Sequence, residues 1–265
     1  RSFALPAAAL RAEPIRSELD VPYDGGENAR RRLDLYRPEK PASGALPVIV
    51  FIHGGGWAKG NKSDGAGRLV PFVRSGEYAG VSVEYRLSDE ARWPAQIHDC
   101  KAAVRWIRAN AARYGLDAER IGVWGTSAGG HLALMTGLAG DVAGLEGTVG
   151  AHPGVSSRVI AVVNFFGVAD LFAIPEPSDG DAPQARLIGG PIRENPELAR
   201  AASPIHYITP DDPPVLSVHG SEDRTVAPSQ SVALDRALRA AGVPSYLVTV
   251  RGAGHGSFGT SADDR

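Results

Sequence analysis

Ser127 stands in the run Gly125-Thr126-Ser127-Ala128-Gly129, directly after a strand-forming stretch and directly before a helix-forming one. A serine hydroxyl in that setting is a candidate nucleophile. A tight strand-to-helix turn would project its Oγ above the sheet edge, and the flanking glycines let strand and helix approach closely. The helix behind it would offer free N–H groups and a positive dipole end to a developing anion. Composition alone gives about 0.25 chance matches to the bare pattern, so the strand–turn–helix context carries the weight.

A second run, His53-Gly54-Gly55-Gly56-Trp57, follows the apolar stretch Pro47–Ile52. One His before three Gly is expected only about 0.01 times by chance. Three glycines let the backbone aim its N–H groups at one point, as an oxyanion hole requires. Gly55, Gly56 and Ala128 are the candidate donors. A phosphate-cradling loop of the Walker type would need a Lys-Ser/Thr pair, which this run lacks.

A nucleophilic serine needs a base, and the base needs an orienting acid. Of the seven histidines, His255 lies just past the last strand-forming stretch, among the glycines of 252–256. That is where the base falls in the chain order serine, acid, histidine. The acid belongs on the loop after Val215–His219, where Glu222 and Asp223 both stand. His219 ends a buried strand and should bond backbone, and His53 should brace the glycine loop. His98 and His131 fall on helices, His152 and His206 on loops. No His-x-x-x-His or Glu-x-x-His pair occurs, so no metal site is expected. Cys100 lies on the apolar stripe of its helix and reads as a small core residue.

Strands are expected at Ser17–Tyr23, Arg31–Arg37, Pro47–Ile52, Tyr78–Glu84, Arg120–Trp124, Arg158–Phe165, Val215–His219 and Tyr246–Val250. Helices are expected from Ala95 to about Tyr114, with Gly115 ending it, over Ala128–Leu138 and over Pro228–Ala241. Strands alternating with helices predict one α/β domain with a mostly parallel central sheet and helices on both faces. Residues 1–16 read as a loose arm. Residues 168–205, rich in Pro, Gly and charge, read as an irregular insertion near the site.

The composition agrees with one α/β domain in 265 residues, 43% of them hydrophobic and 22% charged. A net charge of −2 argues against a nucleic-acid partner. The 24 Arg are scattered among acids as on a solvated surface. A single cysteine excludes an internal disulfide and a Cys-based zinc cluster. The absence of an 18-residue apolar run predicts no membrane helix. The chain opens on Arg1, which suggests a removed leader or tag and favours an exported location over a cytoplasmic one.

These residues together resemble the α/β-hydrolase superfamily, in its esterase branch. The resemblance spans roughly residues 17–256. It rests on His53–Trp57, on Gly125–Gly130, on Asp223 after His219-Gly220, and on His255. It rests also on Glu84-Tyr85-Arg86-Leu87 with Trp93-Pro94-Ala95, similar to a segment of hormone-sensitive-lipase-like esterases. The His-Gly-Gly-Gly-Trp form is most similar to bacterial feruloyl and acetyl-xylan esterases, and arylformamidases share a related pattern. By its spacing, the resemblance selects Asp223 over Glu222 as the acid. It implies a serine carboxylic-ester hydrolase with Ser127, Asp223 and His255 as triad, no cofactor, and a small-molecule ester as substrate, with no membrane contact and the oligomeric state left open. Amide hydrolysis on the same triad, or a non-catalytic binding protein of this fold, are the alternatives; the second normally lacks a triad member, and none is missing. Two departures from the family stand out. No N-terminal helical cap is evident, and only ten residues follow His255, which suggests a truncated closing helix. Without a cap, a long lid or many aromatic residues, short acyl groups are the expected substrates. Trp57 is expected to wall the site opposite segment 168–205.

Overall fold

The computed structural model describes residues 13–42, 44–140, 142–174 and 182–256. Eight strands form one sheet: β1 Ile15–Pro22, β2 Arg32–Pro38, β3 Leu46–Ile52, β4 Ala79–Val83, β5 Leu116–Thr126, β6 Ala161–Phe165, β7 Val215–Gly220 and β8 Ser245–Val250. Their order is β1-β2-β4-β3-β5-β6-β7-β8. β1 and β2 pair antiparallel, β2 meets β4 antiparallel, and every later pairing is parallel. The helices are α1 Ala66–Val73, α2 Ala95–Ala109, α3 Ala111–Tyr114, α4 Ala128–Leu138, α5 Ala143–Glu146, α6 Pro183–Ile188, α7 Pro196–Ala201 and α8 Ser229–Ala240.

The period-two geometry of a strand sorts β3 between two cores. Val48, Val50 and Ile52 face a large cluster that includes Ile97 and Ile107 of α2, Leu132 and Leu134 of α4, and Leu234 of α8. Phe51, from the same strand, joins Leu69 and Val73 of α1 on the opposite face. Helices therefore cover both faces, as expected. Burial on both sides also explains why β3 reads as an unbroken apolar run.

Some boundaries differ from those expected. Ile15 and Arg16 already belong to β1; residues 1–12 of the arm lie outside the described residues. β5 starts at Leu116, four residues early, because a register irregularity lets the polar stretch Asp117–Arg120 pass along β3. The long helix divides at Asn110, whose side-chain amide donates to the Trp106 carbonyl at 2.9 Å. Gly115 then ends α3 with φ 67°. Segment 168–205 carries α6, α7 and three short 3-10 turns rather than irregular chain. Residues 175–181 and 257–265, the latter following the expected base, lie outside the described residues.

The register places the site. Ile52 of β3 pairs with Gly125 of β5, Thr126 pairs with Phe165 of β6, and Gly220 of β7 pairs with Val250 of β8. The carboxyl ends of all these strands therefore reach one rim of the sheet. That rim is where open α/β sheets hold ligands.

Candidate active site

The chain leaves β5 at Thr126 and enters α4 at Ala128, so Ser127 alone makes the turn. Its φ is 54° and its ψ −120°, a region that residues with a side chain seldom occupy. Two backbone bonds hold it there. Ser127 N–H donates to the Phe165 carbonyl at 2.8 Å, and the Ser127 carbonyl accepts from His131 N–H at 3.0 Å. Gly129 must be glycine, since a Cβ there would lie 2.1 Å from the Ile52 carbonyl oxygen.

His255 is brought to this turn from the far edge of the sheet. Its Nε2 lies 2.9 Å from Ser127 Oγ, and its Nδ1 lies 2.7 Å from Asp223 Oδ2. The other carboxylate oxygen of Asp223 accepts from the N–H groups of Thr225 at 2.8 Å and Val226 at 2.9 Å. Asp223 is buried, while Glu222 is exposed and points away. The three residues expected as a triad thus form one continuous relay, with Asp223 and not Glu222 at its end. His255 Nδ1–H donates to the carboxylate, which leaves Nε2 free to accept the serine proton.

His219 supports the acid. Its Nδ1 lies 2.7 Å from Ser231 Oγ, and its Nε2 donates to the Val226 carbonyl at 2.9 Å. Nε2 also approaches Asp223 Oδ2 to 3.4 Å. Burial pushes the His219 pKa down, which favours the neutral ring this pattern requires. Phe166 packs edge-on against the His255 ring at 4.6 Å.

The glycine loop leaves β3 beside the serine turn. Gly55 has φ 110°, and a Cβ on it would lie 2.1 Å from the Lys59 carbonyl oxygen. His53 braces the loop as expected: its Nδ1 lies 2.8 Å from the Gly54 carbonyl, its Nε2 3.3 Å from Glu84, and its ring stacks on Tyr85 at 4.3 Å. Burial opposes the charge on Glu84. Bonds from His53, the Lys62 N–H and Arg30 outweigh it and hold that carboxyl below its ordinary range. Among the described residues, no backbone carbonyl takes the N–H groups of Gly55, Gly56 or Ala128 through a loop or turn bond. They remain available to an incoming oxygen.

Trp57 is not a wall of the site. It is 3% exposed. With φ 57°, the chain turns its indole inward, where Nε1–H donates to His131 Nδ1 at 3.1 Å. The other ring nitrogen of His131 lies 2.7 Å from the Ala202 carbonyl. Burial lowers the His131 pKa to about 4, so the ring is neutral and each nitrogen has a fixed role. One buried histidine therefore ties together the glycine loop, the helix behind Ser127 and the segment after α7. His131 is expected on its helix from the sequence, but not in this role. Its position four residues after Ser127, one helical turn along the same face, was the available signal.

Ser127 and His255 open onto a cavity of about 960 Å³, within the size range of small-molecule sites. Phe51, Phe166 and Pro183 give it an apolar part, and Gly54–Gly56 line the side toward the glycine loop. Among the described residues, no group of three or more His, Cys, Asp or Glu is placed to hold a metal ion. Nor, among the described residues, is any helix long and apolar enough to cross a membrane.

The family model BD-FAE matches residues 33–238. The chain belongs to the BD-FAE family. This BD-FAE protein is 32% identical to Esterase LipC of Mycobacterium tuberculosis over 87% of its own length and 58% of that protein. It is equally identical to Esterase LipQ of the same organism, over 93% of its own length and again 58% of the relative. The chain thus spans little more than half of these curated relatives. Among solved structures it is similar to a truncated carbohydrate esterase from gut microbiota, with a TM-score of 0.84 and 35% identity over 93% of this chain and 90% of that one. It is also similar to the butyrate-bound esterase of Thermogutta terrifontis, with a TM-score of 0.73 and 28% identity over 91% and 84% of the two chains. The fold of this BD-FAE protein is the α/β-hydrolase fold, in its carboxylesterase branch, as the motifs implied.

Proposed function

We propose that this BD-FAE protein is a serine carboxylic-ester hydrolase acting on short-chain acyl esters, with acetyl or feruloyl esters of plant polysaccharides as the candidate natural substrates. The observation that carries the reading is the unbroken relay from Ser127 Oγ through His255 to Asp223, at 2.9 and 2.7 Å, opening on one cavity. Ser127 attacks the acyl carbonyl as His255 Nε2 takes its proton. Asp223 holds the ring and stabilises its charged form. The N–H groups of Gly55, Gly56 and Ala128 receive the oxyanion. The tetrahedral species collapses as His255 returns the proton to the departing alcohol. Water, activated by the same histidine, then releases the acid and restores Ser127. These steps need no cofactor.

Relatives named as esterases support the reaction type. The butyrate-bound and propionate-bound structures of the Thermogutta terrifontis esterase support small acyl groups, and the gut carbohydrate esterase supports a sugar on the alcohol side. The lining supports the same limit on acyl length. Charged Lys59, Asp64 and Arg68 share the lining with Phe51, Phe166 and Pro183, a mixed surface that does not suit a long alkyl chain. Each methylene in an apolar tunnel would gain about 0.8 kcal/mol, so a tunnel would show rates climbing with chain length. Measuring kcat/KM for nitrophenyl esters of two to sixteen carbons tests this. A maximum at two to four carbons is expected, and a maximum at twelve or beyond overturns the short-acyl reading.

A further inference from the structure

The cavity is lined by cations as well as by apolar residues. Lys59, at the end of the glycine loop, and Arg68, in α1, both line it, and Arg186 of α6 lines it as well. Among the described residues, Asp64 is the acidic residue in the lining. No ion pair within 4.0 Å joins Lys59 or Arg68 to any acid among the described residues, Asp64 included. Arg68 is positioned nonetheless: its Cζ lies 5.4 Å from the centre of the Phe51 ring, itself part of the cavity lining. The protein as a whole carries a net charge of −2, so this excess of positive charge is local to the site. Elsewhere the chain pairs its cations near the sheet, as Arg30 with Glu84, Arg86 with Asp99 and Arg105 with Glu146. Two cations with no acidic partner among the described residues, lining one cavity, are what an anion would find complementary. A guanidinium offers a planar fork to a carboxylate, and an ammonium adds a point charge.

We propose that Lys59 and Arg68 form a subsite for a carboxylate on the alcohol part of the ester, so that the preferred substrates are acyl esters of acidic alcohols. This rests on the ester-hydrolase reading above. The alcohol side is chosen because a small acyl group takes the apolar part at Phe166 and Pro183. The rest of a cavity of about 960 Å³, including Lys59 and Arg68, is then left to the alcohol.

The test compares 4-acetoxybenzoate with its methyl ester, in the wild-type chain and in the Lys59→Gln/Arg68→Gln double variant. The readout is the kcat/KM ratio of charged to neutral ester. Intrinsic reactivity cancels because both enzymes meet the same pair. Loss of two exposed ion pairs should lower the ratio about tenfold. Added salt should lower the wild-type ratio in the same direction. Arg236→Gln, on the exposed face of α8 and outside the cavity, should leave the ratio where it was. A second arm uses mono-4-nitrophenyl glutarate against 4-nitrophenyl pentanoate, which moves the carboxylate to the acyl side. An unmoved ratio in the double variant overturns the subsite, and so does an equal shift from Arg236→Gln. A shift confined to the acyl-side pair overturns its placement on the alcohol. If wild type hydrolyses none of the four esters, the ester-hydrolase reading falls and takes this one with it. Hydrolysis with an unmoved ratio sinks only the subsite.

Discussion

The serine turn and the glycine loop leave adjacent parallel strands at paired residues, Gly125 and Ile52, yet they are held in opposite ways. The serine turn is fixed by backbone packed on backbone: a Cβ at Gly129 would meet the Ile52 carbonyl at 2.1 Å and the His53 carbonyl at 2.4 Å. The glycine loop has such contacts at its start, where a Cβ would lie 2.7 Å from the Thr126 carbonyl at Gly54 and 2.1 Å from the Lys59 carbonyl at Gly55, but at Gly56 a Cβ would meet only Pro183, at 3.3 Å. Side chains from elsewhere secure it instead, namely His53 on Glu84 and Trp57 on His131. A nucleophile must stay in one place to within a fraction of an ångström. Oxyanion donors must meet an oxygen that moves during the reaction. The difference predicts that damage to the turn removes the reaction or the fold, while damage to the loop is graded.

The largest effect separates chemistry from scaffold. Ser127→Ala keeps the turn, since alanine is no bulkier, and it leaves the glycine loop untouched. The relay loses its first member, and kcat should fall about a millionfold, the order found on removing a triad nucleophile. Residual catalysis of about 10³–10⁴-fold over water should remain from the oxyanion donors alone. Turnover of a nitrophenyl acetate near the wild-type rate would remove Ser127 from the mechanism.

Gly129→Ala attacks the same turn through its packing. The added methyl cannot be relieved by a side-chain rotation, because what it meets is the β3 backbone. A loss of stability above about 4 kcal/mol is expected, at the exceptional end for a single substitution. Urea unfolding monitored by circular dichroism would show it. A well-folded and active Gly129→Ala protein would mean that the turn has more room than the geometry gives it.

Much of this arrangement is legible in the residues. Apolar runs bounded by glycine and proline mark the strands, and the spacing of the motifs places Ser127 and His255 on the correct loops. What is not legible depends on where the backbone points. Glu222 and Asp223 are neighbours of similar chemistry that residue type alone does not separate; the family resemblance selects Asp223, and the turn after β7 gives the physical reason, facing it inward where two N–H groups receive it. Trp57 follows the glycines directly, so sequence proximity suggests a place in the site. Its positive φ sends the indole to His131 instead. The polar start of β5 reads as a turn because its pairing depends on a register shift with no local signature. The short helices of 183–207 escape for a different reason: none is long enough to show an apolar period.

His131 joins the two regions, and its titration tests the join. Burial takes its pKa to about 4, against about 6.5 for an exposed histidine. Between these values the unfolded chain binds a proton that the folded protein excludes. Stability should therefore fall as pH drops from 6.5 toward 4, by about 3 kcal/mol from this residue. Protonation also removes the acceptor of the Trp57 N–H, so the glycine loop loosens. His131→Gln cannot titrate and should show a correspondingly weaker loss between pH 7 and pH 4.5. The lowered pKa of His219 acts in the same direction but is common to both proteins and cancels in the difference. Identical pH dependence in both would show that His131 does not carry this link.

The smallest effect belongs to Gly56→Ala, and it is the sharpest test of the contrast. Gly56 has φ 60°, a conformation that alanine adopts at about 1–2 kcal/mol. The new methyl would press on the ring of Pro183, at the start of α6, and a shift of a few tenths of an ångström would relieve it. The melting temperature should fall by about 2–8 °C, with the fold intact. The Gly56 N–H would turn slightly from its aim while those of Gly55 and Ala128 keep theirs. Removing an oxyanion donor outright loses about 10²–10³ in kcat, so a misdirected one should lose less than about a hundredfold, mostly in kcat rather than KM. Thermal melts and nitrophenyl acetate kinetics on the same preparation read both quantities. If Gly56→Ala unfolds as readily as Gly129→Ala, the two loops are equally rigid. If its activity is untouched, the Gly56 N–H does not face the oxyanion, and Gly55 and Ala128 carry that role alone.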